Sequence, residues 1–384
     1  MLFSNTFRSA VDKIILHSAL KPTRHMRNRS APEKLDHKSR LKTLEELIGI
    51  YKTFDSGEIF PFPKKPLISF SGQKPYKEAY YFTTLKWHSR PRPLWRSELL
   101  SPTLAANGFD QKRNLQEKID ENYPNQIATA RWYRSSMKKP KAIIITLHGY
   151  AGGFFPIEKI TWPIEDILKE DLDIINLVLP YHGTRRLKKD WGRPPKFPAS
   201  DQRFTIEAVR QTVHDYRILQ DHLRESHPNT PIITVGMSLG GYCASLLACL
   251  DNPPDIAIPV IPLACIASVL ENQNRLKESR DGISKEKQAI IDLLACIDPT
   301  RKPLKIPKEQ ITVIAGADDR ITGLSHANIL VDHFGCELCL FNGGHTLRNG
   351  FKVTLMQAIR EHVVKYTGNL LEHEKTPHHS RNGI

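Results

Sequence analysis

The sequence predicts an α/β protein: a mostly parallel central sheet with helices on both faces, an N-terminal extension and a small cap insertion. Three observations carry that expectation. From Lys141 onward, short and nearly continuous apolar runs alternate with helix-length stretches. Such runs fit strands buried on both faces, the usual condition of a parallel sheet. The chain of 384 residues is 40% apolar, enough to bury a substantial core. Finally, "ITVGMSLGGYCASLL" (Ile233–Leu247) passes from strand-forming residues through a serine and glycines into the start of a helix.

Taken in order, residues 1–45 read as a basic, partly disordered arm. Within it "FRSAVDKIILHSAL" allows one short amphipathic helix, and "KPTRHMRNRSAPEK" reads as a linker. Residues 46–140 alternate short strand-like pieces, "AYYFTTLKW" and "IATARWYRS", with Pro-rich turns. They read as an extension packed on a larger core. The core, 141–366, opens with the strand "KAIIITLHG". A helix over about 157–170, the strand "LDIINLVLPY", a long amphipathic helix over about 204–226 and the strand "PIITVGM" follow. After a helix over 242–250 come the strands "DIAIPVIPL", "QITVIAGA" and "CELCLF", then a last helix over about 351–366. Residues 264–308 interrupt the alternation with a polar stretch, and an insertion there would cap the carboxyl edge of the sheet, where open α/β sheets bind ligands. Residues 367–384 read as a disordered tail.

Composition narrows the function classes. No stretch approaches the roughly 18 to 20 consecutive apolar residues that span a bilayer, and the first thirty residues lack the apolar core of a secretory signal; the expected location is cytoplasmic. Six cysteines lie mainly in apolar segments rather than in a disulfide framework. Cys336 and Cys339 form a CxxC on a predicted strand, where i and i+3 face opposite ways, so no shared metal is expected. The formal charge is +14, and Thr184–Lys196 holds six basic residues against one acid. This balance suits anionic substrates, or peripheral contact of the N-terminal arm with an acidic membrane. Zinc-finger spacing and aromatic–basic RNA-binding signatures are missing, and no nucleic-acid partner is expected. The oligomeric state is not legible.

The chemistry concentrates at Gly236-Met237-Ser238-Leu239-Gly240, a Gly-x-Ser-x-Gly placed between strand and helix, the setting in which that motif presents a nucleophile. Downstream, "ITVIAGADDRIT" ends a strand with Asp318 and Asp319, and "LFNGGHTL" ends the last strand with His345. Serine, acid and histidine thus follow in the order this arrangement demands. A serine hydroxyl is a weak nucleophile at neutral pH and needs an adjacent base; the base needs a carboxylate to fix its tautomer.

With these residues the chain resembles the α/β-hydrolase superfamily from about Lys141 to Tyr366. "LHGYAGG" (Leu147–Gly153) is similar to the family's loop that gives an oxyanion-hole amide. "LPYHGTR" (Leu179–Arg185) looks like the next loop, with Tyr181 where many members have glycine. More narrowly, "GMSLGGYCASLLA", "VIPLACIAS" and "NGGHTLRNGF" look like the branch typified by abhydrolase domain-containing protein 18. The resemblance implies Ser238 as nucleophile, His345 as base and Asp319, in the Gly-x-x-Asp position of "GADDRI", as the orienting acid, with Asp318 its rival. It also implies oxyanion donors at the amides of Leu239 and Tyr150, and a pocket bordered by His148, Gly149, Tyr181, His182 and Arg185. No cofactor or metal is implied. The expected function is hydrolysis of a carboxylic ester, thioester or amide of a small or lipid-like acyl substrate. Acyl transfer on the same scaffold is one alternative. A non-catalytic protein that binds an acidic membrane surface or a protein partner is the other.

Overall fold

The computed structural model describes residues 37–64, 66–77, 79–91, 94, 123–135, 138–190, 195–199, 202–267 and 280–375. The expectations for "FRSAVDKIILHSAL" and its linker lie outside these residues.

Ten strands form one sheet: β1 (Ser69–Phe70), β2 (Lys74–Lys77), β3 (Tyr80–His88), β4 (Ile127–Ser135), β5 (Ile143–Leu147), β6 (Asp173–Leu177), β7 (Ile232–Met237), β8 (Ile256–Val260), β9 (Thr312–Gly316) and β10 (Glu337–Phe341). The order is β1-β3-β4-β6-β5-β7-β8-β9-β10, with β2 paired on β3. From β6 to β10 every pairing is parallel. The 46–140 segment adds an antiparallel half to this sheet, because β4 pairs with β6 from Ala130↔Leu177 to Tyr133↔Ile174.

Strands β5 to β9 are buried at every position, which is why they read as apolar runs without alternation. Their side chains nevertheless divide by face. On β5, Ile143, Ile145 and Leu147 join one apolar cluster and Ile144 joins the other. The first cluster packs under α5 (Gln202–Ser226) and α6 (Leu239–Leu247). The second packs under α4 (Ile164–Lys169) and α9 (Phe351–Lys375) and includes Trp162, the residue that follows α3 (Phe155–Thr161). Full burial of one such isoleucine contributes about 1.5–3 kcal/mol.

Several elements differ from the sequence reading, among them the helix expected over 242–250, which runs Leu239–Leu247. The single helix expected over about 157–170 is two, α3 and α4, divided at Pro163, the residue before the first turn of α4; proline has no amide to continue α3 and its ring opposes the preceding turn. Helix α9 runs to Lys375, past the expected boundary at Tyr366, because the Leu- and Glu-rich stretch after Gly368 favours helix. The arm's boundary at 45 falls inside α1 (His37–Tyr51). Short α2 (Ser56–Ile59) follows, and α7 (Arg280–Leu294), in the expected insertion, packs against α1 with Glu286 bonded to Arg40 at 3.1 Å. Helix α8 (Gly323–Phe334) covers β9. No helix among the described residues is long and apolar enough to cross a membrane.

Candidate active site

Ser238 closes β7 and opens α6 with φ 54° and ψ −110°, a conformation a side-chain-bearing residue holds only when its surroundings enforce it. Those surroundings are close backbone contacts. The Ser238 amide donates to the Val260 carbonyl at 2.8 Å, and its carbonyl accepts from Tyr242 at 3.0 Å and Leu263 at 3.3 Å. The flanking glycines permit the tight approach. A Cβ on Gly236 would stand 2.0 Å from the Gly240 carbonyl oxygen, and one on Gly240 would stand 2.0 Å from that of Leu147.

Two further strand ends complete the cluster. The loop after β10 brings His345 Nε2 to 3.1 Å from Ser238 Oγ, and His345 Nδ1 to 2.9 Å from Asp319 Oδ2 in the loop after β9. Between the two adjacent acids the histidine selects Asp319; Asp318 donates its amide to the Gly343 carbonyl at 2.9 Å. Asp319 Oδ1 accepts from the Ile321 and Thr322 amides at 2.8 and 3.1 Å, and Oδ2 accepts from the Thr322 hydroxyl at 2.7 Å. Burial alone would raise this carboxyl, but His345, Thr322 and the Ile321 amide outweigh it and draw its pKa down to about 2. The group is therefore a fixed anion, able to stabilise an imidazolium on His345.

The loop after β5 lies against the serine. A Cβ on Gly149 would stand 3.5 Å from Ser238 Cβ. Buried Glu158 on α3 anchors the far side of this loop: Oε1 accepts from the Gly153 amide at 2.7 Å and Oε2 from Trp162 Nε1 at 2.9 Å. His148 donates from Nδ1 to the Gly149 carbonyl at 2.8 Å and accepts the Leu179 amide on Nε2 at 3.0 Å, a pairing that fixes its tautomer. Burial lowers its pKa and keeps the ring neutral. The Leu239 amide sits at the first position of α6, where helix amides have no intrahelical acceptor.

No family model matches the chain. Two uncharacterized proteins of Mycobacterium tuberculosis, from strains CDC 1551 / Oshkosh and ATCC 25618 / H37Rv, are each 30% identical over 215 residues, 54% of this chain and 50% of theirs. The chain thus spans about half the length of the curated relatives it matches. Among solved structures it is similar to acetyl xylan esterase 1 from Thermoanaerobacterium sp. JW/SL YS485, with a TM-score of 0.50 and 12% identity, covering 83% of this chain and 92% of that one. This is an α/β-hydrolase fold. At that identity the likeness concerns the fold alone.

Within the α/β-hydrolase fold, the remaining pocket candidates divide. His182 is fully buried, with its ring 5.1 Å from that of His148 and 5.9 Å from that of Tyr150. Burial, then His148, holds its pKa well below the usual histidine value. Tyr181 is buried with its ring 4.6 Å from that of Phe204. Arg185, expected at the border of the pocket, is part of a buried ion pair. It is 1% exposed and pairs with Asp215 on α5 at 2.7 Å, while also donating to the carbonyls of Val178 and Asn125 and to Ser89 Oγ. With both terminal nitrogens engaged and only Nε without a partner among the described residues, the guanidinium ties the loop after β6 to α5. Sequence reasoning missed Thr322 and Glu158; the Asp-x-x-Thr spacing after β9 was the only local signal for the former.

Proposed function

We propose that the chain is a serine hydrolase cleaving carboxylic esters through an acyl-enzyme. The observation that carries this reading is the continuous contact Ser238 Oγ–His345 Nε2 at 3.1 Å and His345 Nδ1–Asp319 Oδ2 at 2.9 Å. Ser238 Oγ attacks the ester carbonyl carbon while His345 Nε2 takes the hydroxyl proton; the resulting imidazolium is stabilised by Asp319. The charge developing on the carbonyl oxygen is met by the amides of Leu239 and Tyr150, each such donor typically contributing about 3–4 kcal/mol to the barrier reduction. The C–O bond breaks as His345 returns its proton to the leaving alcohol. Water, deprotonated by the same imidazole, then attacks the acyl carbon and releases the acid and free Ser238. The Ser238 elbow supports the reading too, since a strained turn of this kind is expected where the hydroxyl has to stand clear of the sheet.

The test is steady-state hydrolysis of p-nitrophenyl acetate, butyrate and octanoate by wild type and Ser238→Ala. Turnover of at least one ester is expected, with kcat falling by about 10³-fold or more in the variant. A variant that retains turnover within about threefold of wild type would contradict the proposal.

A further inference from the structure

A second site lies away from the catalytic cluster. Between β2, β3 and β4 and helix α3 there is a cavity of about 300 Å³, walled by the rings of Tyr76, Phe82, Tyr133 and Phe155 and holding two cations, Arg131 and Lys159. None of Ser238, Asp319 and His345 lines it.

The Arg131 guanidinium stands 4.4 Å from the Phe82 ring centroid and 4.0 Å from that of Phe155. One of its N–H groups meets the Tyr133 hydroxyl, while Nε is buried without a partner among the described residues. With rings this close, the remaining in-plane N–H edge is the part best able to meet an acceptor, and that edge matches a carboxylate or phosphate. The Lys159 ammonium stands 4.9 Å from the Tyr76 centroid. Among the described residues no carboxylate forms an ion pair with either cation. The neighbouring acids are otherwise engaged: Glu158 holds the Gly153 amide and Trp162 Nε1, and Glu165 pairs with Lys77 at 2.6 Å and Lys169 at 3.2 Å. Two cations gathered over aromatic walls, with no acid of their own, form an electrostatic environment that an anion completes. The volume is at the lower end for small-molecule pockets and suits a single ring.

We propose that this cavity binds a small aryl oxyanion, a carboxylate or phosphate on a flat apolar body. Its oxygens meet the in-plane edge of Arg131 and the Lys159 ammonium while the ring lies against Tyr76 and Phe82, over a floor formed by the buried Tyr133. Lys159 is exposed, so it can be changed without disturbing the core.

The experiment is calorimetric titration of the full chain at low ionic strength with benzoate, phenyl phosphate and benzamide, the last keeping the shape without the charge. The better of the two anions is expected to bind about tenfold or more tightly than benzamide, and the ranking of benzoate against phenyl phosphate identifies the oxyanion. Lys159→Gln is expected to weaken binding by about tenfold, with Lys159→Glu and Arg131→Gln abolishing it. Should Arg131→Gln fail to fold, the two Lys159 variants carry the result. Affinity is expected to be unchanged in Ser238→Ala, which separates this site from the catalytic one. The proposal is overturned if neither anion binds at about 10 mM, if benzamide binds equally well, if Lys159→Glu binds as wild type does, or if Ser238→Ala abolishes binding.

Discussion

The Thr322 hydroxyl donates to Asp319 Oδ2 at 2.7 Å and lies 3.4 Å from His345 Nδ1. The acid that orients the histidine is thus itself oriented, from α8's N-terminal side, by a residue three positions further along the chain. A hydrogen bond to a charged group contributes about 1.5–3 kcal/mol. Thr322→Val, which keeps shape and removes the hydroxyl, is expected to lower kcat/KM on p-nitrophenyl esters by about tenfold or more. Thr322→Ser, which keeps the hydroxyl, is expected to restore most of it. Equal losses in the two variants would assign Thr322 a packing role only.

The elbow gives a stability test. In Gly240→Ala the new methyl would meet the Leu147 carbonyl oxygen at 2.0 Å and that of His148 at 2.7 Å. Backbone on both sides has to shift, and a loss of about 3 kcal/mol or more is expected by denaturant unfolding. At Gly49, within α1, a Cβ meets nothing within 4 Å. Gly49→Ala is expected to be neutral or to stabilise by up to about 1 kcal/mol.

Arg185 and Asp215 form a pair whose side chains are 0% and 1% exposed. Removing one partner leaves the other charge buried without its main counter-charge, so Arg185→Met is expected to cost about 3–5 kcal/mol. The double variant Arg185→Met/Asp215→Leu is expected to recover part of that loss. Thermal melts of the three proteins measure it, and a single variant as stable as wild type would show that the pair contributes little.

His362 on α9 is 4% exposed, lies 2.9 Å from the Thr312 hydroxyl, and has its pKa lowered by burial to about 4. Its folded value lies below its unfolded value of about 6.5. The stabilisation is therefore fully present above pH 6.5 and is lost as pH falls through 6.5 towards 4. Between pH 7 and pH 5 this one group removes about 2 kcal/mol of stability. His362→Gln is expected to flatten that part of the stability–pH curve, as read from urea unfolding at the two pH values.

The parallel strands were legible because burial on both faces leaves an unbroken apolar run, as in "KAIIITLHG". Ser238, Asp319 and His345 were legible because each follows such a run, in a fixed order. Partners distant in sequence were not. Whether "IATARWYRS" packs on the core or extends its sheet depends on pairing with β6, some forty residues later, and no local pattern encodes it. Arg185 sits in a basic stretch that reads as solvated, yet its acid partner lies 30 positions on, across another element. Thr322 and Glu158 carry no special residue type; beyond the Asp-x-x-Thr spacing of the former, only their contacts distinguish them.

An activated Ser238 hydroxyl attacks phosphorus as it attacks a carbonyl carbon, so a fluorophosphonate probe reads the nucleophile by covalent labelling. Wild type is expected to label, and both Ser238→Ala and His345→Ala, checked for folding by circular dichroism, are expected to lose that labelling. A folded wild type that does not label, or a Ser238→Ala protein that labels as well as wild type, would contradict the assignment.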